Sequence, residues 1–182
     1  MNIENVKNLG HLATIFENKF SQKSCLTVDN KALNFIEFSE LITSYAKKFK
    51  ALGLKKGDKI GILLFNSIEY LTIMYAAMYA GIVPVNINAR YKTKELHYVM
   101  HDSGCKTLFT SSDSDEVTNF SNLISSVYDS PEGKPQDLSN VYIIGGSKDR
   151  RFKDFEDFES IEIDNETHED PIGEGNDPAF IM

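Results

Sequence analysis

The sequence predicts an α/β fold, a parallel sheet flanked by helices. Three observations carry that expectation. Between residues 57 and 110, short apolar runs alternate with segments of helical period, in the order strand, helix, strand, helix, strand. Short connections in that order favour right-handed crossovers and a parallel sheet covered on its faces. The run Ile60–Phe65 is almost wholly apolar, as suits a strand buried on both sides. Finally, 182 residues that are 41% hydrophobic and 25% charged suffice for one globular domain with a core.

The elements follow in order. Leu9, Leu12, Ile15, Phe16 and Phe20 recur at helical spacing behind Asn8, a capping residue. "CLTV", the turn "DNK" and "ALNF" read as a β-hairpin. A long helix is expected over Ile36–Leu52, with Phe38, Leu41, Ile42, Tyr45, Phe49 and Leu52 on one stripe and Gly53 as its left-handed stop. After the strand at Ile60–Phe65, Asn66 and Glu69 form an Asn-x-x-Glu start for a helix running to about Ala80 and Gly81. "IVPVNI" is a strand in which Pro84, lacking an N–H, belongs at a start or an edge. Ala76, Ala77 and Ala80 suit close packing of the preceding helix on the sheet. "KTKELHYVMHDSG" is a helix ended by Gly104, and "KTLFT" a strand. "VTNFSNLISSVY" and "NVYIIGG" add a helix and a strand, joined by the polar loop "DSPEGKPQD". Residues 1–145 therefore form the α/β portion. Residues 146–177 read as an acidic, weakly ordered connector in which Phe152, Phe155 and Phe158 anchor one amphipathic turn, and 178–182 begin another strand.

Charge and composition exclude several classes. The net charge of −8 is local: eleven acids and no Lys or Arg lie between Asp154 and Asp177, leaving the remainder at +3. Such a run reads as a solvated connector rather than a docking segment, and the mildly basic remainder has no nucleic-acid footprint. No apolar run approaches the ~20 residues that span a bilayer, and the N-terminus lacks the pattern of a signal peptide. The two cysteines, Cys25 and Cys105, read as buried free thiols in a reducing compartment, which points to the cytoplasm.

No complete phosphate-binding glycine motif and no nucleophile elbow occurs. Gly145-Gly146 follows a strand and could approach a phosphate, but a plain turn is the ordinary reading. His97 and His101 share one helix face; Tyr98 stands where a zinc-protease motif needs Glu, and no third ligand is evident. His11 and His168 have no companions. No metal site is assigned.

Three stretches, in order, resemble the start of the adenylate-forming (AMP-binding) enzymes, the family that includes acyl-CoA synthetases, luciferases and peptide-synthetase adenylation domains. "LNFIEF" (Leu33–Phe38) resembles an early Leu-Thr/Ser-Tyr-x-Glu-Leu motif, with Asn34, Phe35 and Phe38 as departures. "GDKIGILLFNSIEYLTIMYAAMYAGIVPVNINARYKTKELHYVMHDSGCKTLFT" resembles the family's Gly-Asp-x-Val stretch and its Ala-Gly-x-x-x-x-Pro-(apolar)-Asn continuation. Within it, Asn88–Tyr91 and Asp102–Gly104 look like the acyl-CoA synthetase branch, with fatty or aryl acids as substrates. "DPAFIM" resembles the strand that leads into the family's Gly-, Ser- and Thr-rich ATP phosphate loop.

The resemblance implies the N-terminal part of the family's large domain, ending just before the phosphate loop. The implied reaction joins a carboxylate to ATP as an acyl-adenylate and then to CoA as a thioester, so the parent enzyme would use ATP, Mg²⁺ and CoA. A domain loading a carrier protein, or a truncated non-catalytic interaction module, are the alternatives. The family's catalytic residues all lie later, so none is assigned here, the 182 residues alone are expected to be inactive, and a complementary C-terminal portion is the expected partner. Asn88, Ala89 and Arg90 sit after a strand and before a helix, where open α/β sheets place ligands. The resemblance puts them near the CoA pantetheine tunnel; Arg90 could equally bind a helix end or a carboxylate of its own domain. In some relatives basic residues follow the next strand and hold the CoA phosphate, whereas Asp113, Asp115 and Glu116 here would repel it.

Overall fold

A computed structural model describes residues 6–112, 119–164 and 171–182. The acids Asp113, Asp115, Glu116, Glu166, Glu169 and Asp170, together with His168, lie outside the described residues. In chain order the elements are α1 (Leu9–Phe20), β1 (Ser24–Val28), β2 (Lys31–Asn34), α2 (Phe35–Ala51), β3 (Lys59–Leu63), α3 (Ile68–Tyr79), β4 (Val83–Asn86), α4 (Thr93–Ser103), β5 (Cys105–Ser111), α5 (Phe120–Tyr128), β6 (Asn140–Ile144), β7 (Lys153–Asp154) and α6 (Phe155–Glu159). They group into two compact units: Met1–Gly57, Asn66–Pro84 and Glu162–Phe180 form the first; Asp58–Phe65, Val85–Ile161 and Ile181–Met182 form the second.

The first unit is built from α1, α2, α3 and the β1–β2 hairpin. Asn8 is extended, and its Oδ1 accepts the His11 N–H at 2.8 Å, opening α1 as the sequence predicts. The hairpin pairs Val28 with Lys31 across a two-residue turn in which Asp29 takes a φ of 53°, a region that Asp tolerates. The helix expected from Ile36 starts one residue earlier. Asn34 and Glu37 form a reciprocal capping box: Glu37 N–H donates to Asn34 Oδ1 at 2.9 Å, and Asn34 N–H to Glu37 Oε2 at 2.8 Å. Phe38, Ile42, Tyr45 and Phe49 are buried as expected, while Leu41 and Leu52 are only partly covered.

The cap of α3 is a correction. Asn66 does not open this helix; Ser67 does, because it takes the extended conformation (φ −150°, ψ 170°) from which its Oγ accepts the Tyr70 N–H at 3.0 Å. Ala76 and Ala77 are fully buried. The crossing of α1 and α3 depends on Gly10, where a Cβ would fall 2.3 Å from Tyr79 N and 2.4 Å from Tyr75 O.

The second unit carries a five-stranded sheet in the order β4-β3-β5-β6-β7, with Val85 and Asn86 of β4 belonging to this unit. The β3–β5, β5–β6 and β6–β7 pairs are parallel. Pro84 lies on edge strand β4, as its missing N–H requires. Opposite Lys59 and Ile60, the register skips Lys106, so Cys105 and Leu108 point to the same face. That face carries Leu63, Leu108, Val141 and Ile143, covered by Leu96 and Met100 of α4 and by Phe120, Ile124 and Val127 of α5. Gly61 sits among them because a Cβ would come within 2.9 Å of Leu108 Cδ1 and 3.1 Å of Ile87 Cδ1.

On the opposite face Phe109 stacks on Tyr142 at 5.5 Å, and Phe158 meets the two rings at 5.1 and 5.6 Å. Of the amphipathic turn expected at Phe152, Phe155 and Phe158, only the last two lie on a helix, α6, preceded by edge strand β7; Phe152 comes before both and packs in the α4–α5 cluster, edge-on to Tyr128 at 5.1 Å. Order extends further into residues 146–161 than their acidity suggests, because these phenylalanines are buried while Asp154, Glu156, Asp157 and Glu159 face solvent.

Candidate functional site

Parallel strands end together, and open sheets place ligands just beyond their carboxyl ends. In the second unit that edge comprises Asn86 and the turn after β4, Ser111 at the end of β5 with Ser112 after it, and Gly145 and Gly146 after β6.

Asn88, Ala89 and Arg90 are brought together on one tight turn. Asn88 Oδ1 accepts the Arg90 N–H at 2.9 Å, and its carbonyl accepts the Tyr91 N–H at 3.1 Å. Asn88 therefore shapes the turn. Ala89 packs on the core. Arg90 is exposed and makes no ion pair among the described residues, so its guanidinium is left to solvent.

Gly145 and Gly146 take φ of 83° and 82°. A Cβ on Gly145 would also strike Ser112 Oγ at 2.4 Å. The neighbouring amides are already used: Ser112 N–H donates to Ile144 O, Gly146 N–H to Ile143 O, and Ser147 N–H to Asp154 Oδ1. The pair forms a structural turn in which the Gly146 and Ser147 amides are occupied within the chain. The following loop is pinned by Arg151, which pairs with Asp149 and Asp129 and lies over the Tyr128 ring at 5.4 Å. The guanidinium beside Asp149 holds that carboxyl far below the usual carboxylate range.

His97 and His101 stack with centroids 5.8 Å apart, and among the described residues no three His, Cys, Asp or Glu side chains converge to hold a metal. His11 Nδ1 accepts the Lys7 N–H, a local role. Cys25 is partly covered and Cys105 buried, both as free thiols. Burial pushes the Cys105 thiol up to about 11, which suppresses thiolate chemistry.

Sequence reasoning missed two features. Thr107 Oγ1 and Ser111 Oγ are buried without a hydrogen-bond partner among the described residues; alternation along β5 puts both on the Phe109 face, and the packing over that face buries them. Two cavities also appear. One of about 420 Å³ runs beside β4 and α4, lined by Lys59, Asn86, Tyr91, Tyr98, Asp102 and Met182 among others. Another of about 240 Å³ in the first unit is lined by Asn8, Met78, Gly81, Gly173, Asp177 and Pro178 among others. Phe180, Ile181 and Met182 are 41%, 39% and 89% exposed, yet Ile181 bridges in parallel to Val85, and its carbonyl accepts the Asn86 N–H at 2.8 Å. Among the described residues no helix is long and apolar enough to cross a membrane.

Comparison with known proteins agrees with this geometry. Residues 15–182 match the sequence profile of the family described as "AMP-binding enzyme". The mitochondrial medium-chain acyl-CoA ligase ACSF2 of Rattus norvegicus is 32% identical over 102 residues, covering 55% of this chain and 17% of the relative. A 2-succinylbenzoate–CoA ligase of Oceanobacillus iheyensis is 36% identical over 83 residues, covering 46% and 17%. The chain thus matches about a sixth of the length of these relatives. In fold it is similar to the anthranilate CoA ligase AuaEII (TM-score 0.80, 20% identity, 97% of this chain and 32% of that one). It is likewise similar to the N-terminal domain of FACL13 from Mycobacterium tuberculosis (TM-score 0.78, 22% identity, 97% and 41%).

Proposed function

The chain belongs to the AMP-binding enzyme family, and from that premise we propose that it is the N-terminal part of an ATP-dependent acyl- or aryl-CoA ligase. In such an enzyme a carboxylate attacks the α-phosphorus of Mg·ATP, giving an acyl-adenylate and pyrophosphate. The CoA thiol then attacks the acyl carbon, forming the thioester and expelling AMP. The family match over residues 15–182 carries the reading. The CoA ligases among the relatives favour CoA as the thiol and a fatty or aromatic acid as the substrate.

The residues present do not fit ATP or Mg²⁺. The sequence has no complete phosphate loop, and among the described residues no acidic cluster would hold the ion. No step of the adenylation is therefore assigned to them. For CoA we propose that the Asn88–Ala89–Arg90 turn borders the path of the pantetheine arm. Its place after β4, at the carboxyl end of the sheet, supports this. The free thiols Cys25 and Cys105 favour the cytoplasm as the compartment.

On this reading the 182 residues supply scaffold, not chemistry. The test is ATP–pyrophosphate exchange with a panel of fatty and aromatic acids. The chain alone should give no turnover, and a longer enzyme containing it should turn over. Exchange by the chain alone would overturn its proposed inactivity; a longer enzyme inactive with every acid would overturn the ligase reading. A second reading, an interaction module that pairs with a complementary C-terminal portion, has the exposed Phe180, Ile181 and Met182 in its favour.

A further inference from the structure

We propose that Lys56 and Asp177 form a latch that positions the segment beginning at Pro178, which forms no strand here but carries an isolated bridge at Ile181. This rests on the reading of that segment as the lead into the phosphate loop of a ligase, which makes Lys56 and Asp177 positioning residues for a reaction neither touches.

Within the first unit, the segment from Pro171 to Asp177 is strapped to the end of α3 and the start of α1. Ile172 N–H donates to Tyr79 O at 3.0 Å, and Asn8 Nδ2 donates to Gly173 O at 3.1 Å. The fit is close enough to demand glycine: a Cβ on Gly173 would lie 2.5 Å from Asn8 Nδ2 and 2.9 Å from Met78 O. Asp177 then does two things at once. Its Oδ2 accepts the Glu174 N–H at 2.7 Å, closing the turn, and the same oxygen takes the Lys56 ammonium at 3.0 Å. Lys56 also reaches Glu174 Oε2 at 3.5 Å, and the backbone beside it is fixed by the Gly57 N–H to Gly81 O bond at 2.8 Å. Consistent with the geometry, the Asp177 carboxyl is held below its ordinary range, first by the Glu174 amide and then by Lys56, and the Lys56 ammonium is held above its own.

Pro178 follows with its φ locked. Only Pro178, Ala179 and Phe180 separate the latched carboxylate from Ile181, whose carbonyl receives the Asn86 N–H. That bond belongs to an isolated bridge rather than to a ladder. A lone bridge has little cooperative support, so a short tether that keeps Ile181 at high local concentration governs how often it is formed.

The test is amide hydrogen exchange on the 182-residue chain, comparing Lys56→Met and Lys56→Arg with the parent sequence. Two reporters separate the cases: the Asn86 amide, bonded to Ile181 O, and the Ile87 amide, bonded to Ile62 O. Lys56→Met should speed exchange at Glu174 and Asn86 by roughly two- to five-fold, the effect of one partly exposed ion pair, and leave Ile87 unchanged. Lys56→Arg should keep the parent's protection. Faster exchange at Glu174 with Asn86 unchanged would overturn the latch, since the ion pair would then hold only its own turn. Equal acceleration at Asn86 and Ile87 would overturn it too, as a general loosening. Exchange rates need no turnover, so failure of the ligase reading would show in the pyrophosphate assay and not here.

Discussion

Replacing Gly10 by alanine sets two effects of opposite sign against each other. Gly10 lies inside α1, where alanine is favoured over glycine by about 1 kcal/mol on helix propensity alone. At this position, however, the new Cβ would stand 2.3 Å from Tyr79 N, 2.4 Å from Tyr75 O and 2.8 Å from Tyr79 Cα. All three obstacles are backbone atoms of α3, so no side-chain rotation relieves them. Restoring ordinary contact requires α1 to retreat by about 1 Å, and a gap of that size forfeits up to about half of the dispersion attraction across the interface. Overpacking of this kind costs about 1–3 kcal/mol, and a backbone obstacle puts it at the upper end. The net loss is then about 2 kcal/mol. With a urea slope of about 2 kcal/mol per molar, the unfolding midpoint should fall by about 1 M. A midpoint that is unchanged or raised would mean that propensity wins and that α1 and α3 do not cross closely at Gly10.

Three further outcomes rest on packing and titration. Phe158→Ala removes the ring that meets both Phe109 and Tyr142 and should cost about 3–5 kcal/mol by urea unfolding, where an unstructured connector would lose almost nothing. Cys105 should resist Ellman's reagent at pH 8 in the folded chain and react on unfolding, since it is buried and its thiol is pushed up to about 11. Because that pKa is raised above the ordinary value of 9.0, its contribution to stability is complete below 9 and disappears as pH climbs through about 11. Cys105→Ala should therefore lose less stability than the parent over that interval.

The periodic parts of this fold are legible in the sequence because their determinants are local. The stripe of α2, the stop at Gly104 and the edge position of Pro84 all follow from residues within one element. What escapes is decided by partners distant in the chain. Asn66 and Ser67 are both competent caps, and backbone conformation chooses between them. β7 is two residues long and exists only because β6 offers an edge to pair with. Nothing in "LGHLAT" marks Gly10 as a crossing point, since the atoms that exclude a Cβ belong to α3. The candidate site divides the same way. The position of Asn88–Arg90 follows from strand order, whereas the unpartnered hydroxyls of Thr107 and Ser111 need the packing over β5, and the Lys56–Asp177 pair joins residues far apart in the chain.

The interleaving of the two compact units bears on how the molecule is made. The chain passes between them at 57/58, 65/66, 84/85, 161/162 and 180/181. Neither unit is a contiguous stretch that a ribosome could release finished. The three helices and the hairpin of the first unit emerge early, but its last segment, Glu162–Phe180, emerges after nearly all of the second. At translation rates of about 5–20 residues per second, the 82 residues between Tyr79 and Glu162 take about 4–16 s to appear. For that interval Asn8 and Lys56, which hold Gly173 and Asp177 in the folded chain, lack those partners on the nascent one.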